Sequence, residues 1–201
     1  IWGWSVVAGN KRPFEGTVEQ KGAEWVFTAR EPGNDPHDGV FAGRFSGTSL
    51  SGGWESNDKK AKIPSRSYQL RRRAFRYDPA VLLDGGSEEF QEATWDEMID
   101  KGEVLSEAAF TLNASTKELK ASDLENLYKA DLEILRNTIY ARHGYSFRNA
   151  RIRAAFDHSV SWYMPVSTDV TAQLTAIELK NIALLKRYEG HAQKYYDSFG
   201  R

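Results

Sequence analysis

The sequence predicts an α+β chain, an N-terminal antiparallel β-meander or small barrel followed by a C-terminal α-helical bundle. Three observations predict it. Residues 1 to about 77 hold short runs of strand-forming residues separated by Gly, Asn and Asp turns. From Ser122 onward, apolar residues recur at helical spacing with recognisable starts and stops. Between them, Pro79, Gly85 and Gly86 break both patterns. The division is therefore 1–78 as an antiparallel β domain, 79–114 as an acidic helical connector and 115–201 as a helical domain.

In the β domain, GTVEQKGAEWVFTAR places a strand core at Trp25–Thr28, with KGA as the turn before it. In VFAGRFSGTSLSGGWES, Phe41, Gly43, Phe45 and Gly47 share one parity, and Leu50, Gly52 and Trp54 the other. That alternation, broken at GTS, predicts a hairpin whose register shifts across the turn. Glycines spaced by two permit close backbone approach or sharp coiling. A last strand is expected over Ser67–Arg72, after Pro64. The loop EPGNDPHDG is dense in turn residues, and its Asp35, His37 and Asp38 match no metal-ligand spacing, so it reads as a solvated turn. Arg71, Arg72, Arg73 and Arg76 read as a solvated strand end.

Farther along, Ser87, Glu88 and Glu89 open a helix over 88–100, with Phe90, Trp95, Met98 and Ile99 on one face. Residues 103–121 fit helix or strand. Ser122 and Glu125 fit a capping box at the start of a short helix. The next helix runs from about Lys129 to His143 with Leu132, Leu135 and Ile139 as its stripe. Gly144 supplies the left-handed stop and Tyr145 the hydrophobe that packs back on the last turn. Two further helices are expected, over Asn149–His158 and about Thr171–Ser198. The inner face of the last is Leu174, Ile177, Ile182, Leu185 and Tyr188.

Charge is unevenly spread. Residues 1–80 hold 13 Lys/Arg against 9 Asp/Glu, residues 81–130 hold 4 against 12, and residues 131–201 hold 10 against 7. An acidic segment between two mildly basic ends argues against a nucleic-acid partner. With no cysteine, disulfides, zinc ribbons and thiol nucleophiles are excluded. No cofactor or metal is indicated. The opening IWGWSVV is too short for a membrane span, so membrane attachment would need an anchor upstream of residue 1.

The stretch RNTIYARHGYSF, with Phe156, WYMP and LTAIELKNIALLKRYE after it, resembles the YARHG domain family over about residues 115–189. Thr138 stands where Glu is common in that family, and Tyr128 where a Ser-type cap usually opens the helix. The resemblance implies an extracellular or periplasmic bacterial module, often in lipoproteins or behind an anchor, with a role at the cell envelope. The FxGxF and SGxW phrasing of the N-terminal part is similar to small β segments that accompany such modules.

Glu178 and Asn181 lie beside the apolar stripe of the last helix, where a carboxylate needs a partner. The expected structural clasp pairs Arg136 with Glu178, sets Asn137 alongside, and bonds Asn181 to backbone near the His143-Gly144 turn. Candidate binding residues are Tyr140, Arg142, His143, Tyr145, Trp162 and Tyr163. His158 and His191 receive no role. No catalytic motif is visible: no serine elbow, no HExxH, no paired carboxylates. The leading function is a non-catalytic binding or scaffolding module, its ligand a cell-wall glycan such as peptidoglycan, another polysaccharide, or an envelope protein. The rivals are an envelope hydrolase using His143 with Glu178 or an aspartate, and a barrel holding a small apolar ligand among Trp25, Phe41, Phe45 and Trp54.

Overall fold

The computed structural model describes residues 1–95, 102 and 104–195. Residues 1–6 and 11–74 form one compact unit; residues 7–10 group with the chain from 75 onward in a second.

The first unit is a six-stranded antiparallel sheet, β1 (Trp2–Val7), β2 (Asn10–Lys21), β3 (Glu24–Arg30), β4 (Gly39–Ser46), β5 (Ser49–Ser56) and β6 (Ser65–Arg71), each beside its chain neighbour. The strands form a curled half-barrel with β1 and β6 as edges. The meander alternative holds and the closed barrel does not.

The expected register shift between β4 and β5 is absent. Phe41 faces Trp54, Gly43 faces Gly52 and Phe45 faces Leu50, so the two parities lie on one face. A two-residue turn at Gly47-Thr48 joins them, and an even-length turn exchanges odd for even across an antiparallel pair. Of the two uses expected of the glycines, close backbone approach is present. A Cβ on Gly43 would stand 2.4 Å from the Ser51 carbonyl oxygen, and one on Gly52 would stand 2.2 Å from that of Ala42. Trp25 stacks on Phe45 at 6.1 Å on the same face, and Phe41 contacts Phe14 and Tyr68.

The second unit holds α1 (Ser87–Ala93), α2 (Glu107–Thr111), α3 (Lys129–Arg142), α4 (Ala150–Ser159) and α5 (Ala176–Tyr195), with one-turn 3-10 segments at Ala121–Asp123 and Thr171–Gln173. The expected α1 face at Met98 and Ile99, and the expected end of α5 at 196–198, lie outside the described residues. The capping box at Ser122 shifts: Asp123 accepts from the Lys120 N–H at 2.8 Å and starts a 3-10 turn that contains Ser122.

α3 is the central element. Leu132, Leu135 and Ile139 face one core with Leu119, Leu124, Ile182 and Leu185. A second stripe, Ala130, Ile134 and Ala141, faces another core built on Phe90, Phe147, Ile152 and Phe156. Small residues hide this second stripe in the sequence. Thr138, between them, hides its hydroxyl by bonding the Ile134 carbonyl at 2.7 Å. Tyr128 offers no side-chain cap, and Asp131 does the work from three residues on, accepting from the Tyr128 N–H at 3.0 Å and the Ser106 N–H at 2.7 Å. α4 is capped by Asn149, which accepts from the Arg151 and Ile152 N–H groups.

The expected inner face of α5 is corrected. Ile177 is exposed, and Glu178, Asn181, Ile182, Leu185 and Ala192 point inward. The stripe keeps its period but carries two polar residues at its N-terminal end.

Candidate functional site

The last turn of α3 ends as its sequence predicts. Gly144 has φ +72°, its N–H bonds the Ala141 carbonyl at 2.9 Å, and the Tyr145 N–H bonds the Tyr140 carbonyl at 3.1 Å. The Tyr140 and Tyr145 rings meet at 5.9 Å, the apolar contact that accompanies this stop.

His143, the residue before that glycine, points inward. Its Nε2 lies 2.8 Å from Oε2 of Glu178, and the side chains are 4% and 0% exposed. Glu178 stands at the third position of α5 and closes a capping box, accepting from the Thr175 N–H at 2.9 Å while Thr175 Oγ1 accepts from the Glu178 N–H at 3.3 Å. The Tyr77 hydroxyl donates to Oε1 at 3.2 Å, and the Tyr77 ring stacks on His143 at 4.3 Å. Ser115 hydrogen-bonds the same carboxylate. Arg142 donates from Nη1 to Ser115 Oγ at 3.1 Å and from Nε to the Val81 carbonyl at 2.9 Å.

Electrostatics follow from this enclosure. Burial alone would raise the Glu178 carboxyl, but donors from Ser115, the Thr175 N–H and His143 outweigh it and hold it below the usual range. Burial, then the Glu178 charge, pushes the Tyr77 phenol up to about 12. Burial lowers Arg142 to about 10, with Glu178 acting against the shift.

A polar clasp therefore exists, with partners other than those expected. Glu178 pairs with His143 and its neighbours; Arg136 instead makes a two-pronged pair with Glu189, Nη2 to Oε2 at 3.0 Å. Asn181 does not reach the His143-Gly144 turn. It accepts from the Leu119 N–H at 2.9 Å and donates to the Ala114 and Lys117 carbonyls at 2.8 and 2.7 Å, pinning the segment before α3 to α5. Asn137 is buried and donates to the Glu133 carbonyl of its own helix at 2.9 Å.

Tyr77, Ser115, Thr175 and Glu189 take part without having been singled out. Thr175 was findable, because TAIE matches a capping box. Tyr77 had no local signal, standing 66 residues before His143.

The candidate binding residues divide into two groups. Arg142, His143 and Tyr163 are buried, and Trp162 donates its indole N–H to the Leu82 carbonyl at 2.7 Å. Tyr140 and Tyr145 line a groove of about 440 Å³ together with Arg136, Arg148, Asn149 and Asp169. Its walls are the C-terminal half of α3, the segment entering α4, and residues 168–171. Neither His143 nor Glu178 lines it. Glu133, on its rim, pairs with Arg151. The groove has aromatic faces, guanidinium and amide groups, and no nucleophile held by a base.

In the sheet unit, the 31–39 loop is built around two buried carboxylates rather than solvated throughout. Glu31 accepts from the Gly39 N–H, the Trp54 indole and the Ser5 hydroxyl at 2.8, 3.0 and 3.2 Å. Asp38 accepts from the Gly33 and Asp35 N–H groups at 2.9 and 3.2 Å and from Arg12 at 3.0 Å. Their lone pairs are directed at N–H and O–H donors. Among the described residues no cluster of three potential ligands that could hold a metal ion occurs. Trp25, Phe41, Phe45 and Trp54 line an open curled face, not the inside of a closed barrel. Among the described residues no helix is long and apolar enough to cross a membrane.

Residues 107–190 match the family model of the YARHG domain. Comparison with curated proteins and with solved structures finds no match.

Proposed function

Because residues 107–190 are a YARHG domain, we propose that the chain is a non-catalytic binding or scaffolding module of the bacterial envelope, acting outside the cytoplasm. The groove at Tyr140, Tyr145 and Arg148 takes its ligand, a cell-wall glycan bearing carboxylates, of which peptidoglycan is the leading example. One observation supports this most: the groove sets two tyrosine rings and the exposed Arg148 guanidinium around a space of about 440 Å³. Tyrosine rings offer faces for sugar rings, and the Arg148 guanidinium, unlike that of Arg136, which Glu189 occupies, can meet a carboxylate. The burial of His143 and Glu178 weighs against the hydrolase, because a general base must reach its substrate.

The test is retention of the purified chain on insoluble cell-wall sacculi, beside a titration with soluble muropeptides. Retention should occur, and Arg148→Ala, altering an exposed groove residue, should weaken muropeptide binding at least tenfold. Failure to be retained, with envelope proteins recovered from a lysate instead, would move the reading to protein scaffolding.

A further inference from the structure

The clasp has a feature that helix locking does not require. Several of its partners come from residues 75–84, a segment without helix or strand, turning at Pro79-Ala80, that precedes the matched domain. Three of its carbonyls are each held by a different side chain. Asn113 donates to Pro79 at 2.8 Å, Arg142 to Val81 at 2.9 Å and Trp162 to Leu82 at 2.7 Å. Two of its side chains fill defined places: Tyr77 stacks on His143 and donates to Glu178, and Leu83 is 7% exposed in the core of Phe90 and Phe156. At its ends, Phe75 fills the space that a Cβ on Gly144 would need, 2.8 Å away, and Asp84 accepts from the Ser161 N–H at 3.1 Å.

Gripping carbonyls while seating spaced side chains is how proteins bind peptides. The main chain contributes affinity and the pockets contribute selectivity. We propose that residues 75–84 are a tethered ligand of the YARHG domain, and that the face formed by Arg142, His143, Gly144, Glu178 and Trp162 is a docking site for peptides carrying a tyrosine and, six residues later, a leucine, with a turn between them. The tether keeps that face filled, since a joined ligand acts at an effective concentration of roughly millimolar order. This site is separate from the groove at Tyr140 and Tyr145, and it stands whether or not that groove binds glycan.

The experiment uses the full chain with Tyr77→Ala and Asp84→Ala, which loosen the segment at two anchors, and a fluorescent peptide copying residues 74–86. Anisotropy should show saturable binding at least tenfold tighter than to the unaltered chain, whose own segment competes. A peptide with Tyr77→Ala should bind at least tenfold more weakly. If the double variant does not melt cooperatively, the milder Tyr77→Phe and Asp84→Ala pair replaces it. No saturable binding by a folded variant, or equal affinities for the two chains or the two peptides, would overturn the proposal.

Discussion

The two units solve the same problem, the burial of carboxylates, on very different amounts of apolar core. Among the described residues, the fully buried apolar side chains of the sheet unit are Phe27 and Ala29, whereas the helical unit has two cores on opposite sides of α3. Yet Glu31 and Asp38 in the sheet unit and Glu178 in the helical unit each collect three or more donors. Satisfying a buried carboxylate does not depend on a large hydrophobic core. It depends on backbone N–H and side-chain donors aimed together at one point, which a tight loop provides as well as a helix start. The units differ in how much else collapses when such a group is removed.

That difference is open to measurement. The largest effect should come from Glu178→Gln, which removes the buried charge that His143, Tyr77 and the Thr175 N–H satisfy and that also acts on the buried Arg142 guanidinium. The loss should be about 3–5 kcal/mol in urea unfolding followed by helical circular dichroism. Asp38→Asn should lose less, about 1–2 kcal/mol, because Arg12 keeps 22% of its side chain in water. Equal losses would erase the contrast between the units.

Gly144→Ala should come next, at about 2–4 kcal/mol. It combines a left-handed backbone with a Cβ forced against Val166 and Phe75 at 2.6 and 2.8 Å. Gly47→Ala, at φ +57° but with open space around it, should lose only the backbone part, about 1–2 kcal/mol. Thermal melts of the two variants decide this.

Acid should weaken the clasp without any substitution. The Glu178 carboxyl titrates lower when folded than its ordinary 4.5, so its contribution is complete above that value and is lost as pH falls through the folded value. Asp131 works the other way. Burial raises its carboxyl against the bonds from Ser106 and Tyr128, so its ionisation opposes folding near neutrality and protonation relieves that. Stability measured from pH 6 to pH 2 should fall less steeply in Glu178→Gln than in the unaltered chain. Parallel curves would remove Glu178 from the account.

The smallest effect should be Trp25→Ala. Trp25 is 39% exposed and stacked on Phe45, so about 1 kcal/mol is expected from the ring pair in an unfolding titration. A loss above about 3 kcal/mol, the range of fully buried aromatics, would mean that the sheet face carries a closed core.

Much of the fold was legible because its signals are local. The stop at Gly144, the Asn149 start of α4, the hairpin turn within Gly47–Ser49 and the alternation of β4 and β5 each involve residues a few positions apart. The strand register is not legible in parity along the chain, because an even turn places opposite parities on one face. The second stripe of α3 was missed because alanine and a back-bonded threonine look neutral in a hydropathy pattern.

The site was legible in composition but not in pairing. Periodicity identified α3 and α5 as neighbours and Glu178 as a carboxylate needing donors. It could not choose between Arg136 and His143, because helical phase gives the direction of a side chain but not the height at which two helices cross. Arg136 meets Glu189, eleven residues beyond Glu178.

By itself, then, the sequence determined the α+β class, that strands precede helices, where α3 stops, and that a family signature lies in that last turn. These depend on steric and hydrogen-bond rules within about five residues. Only the tertiary structure decided that His143 faces inward onto Glu178, that Tyr77 covers it, and that Arg142 holds the Val81 carbonyl. Those contacts join residues 35 to 66 positions apart, and their geometry exists only once the helices and the 75–84 segment have found their mutual depth and offset.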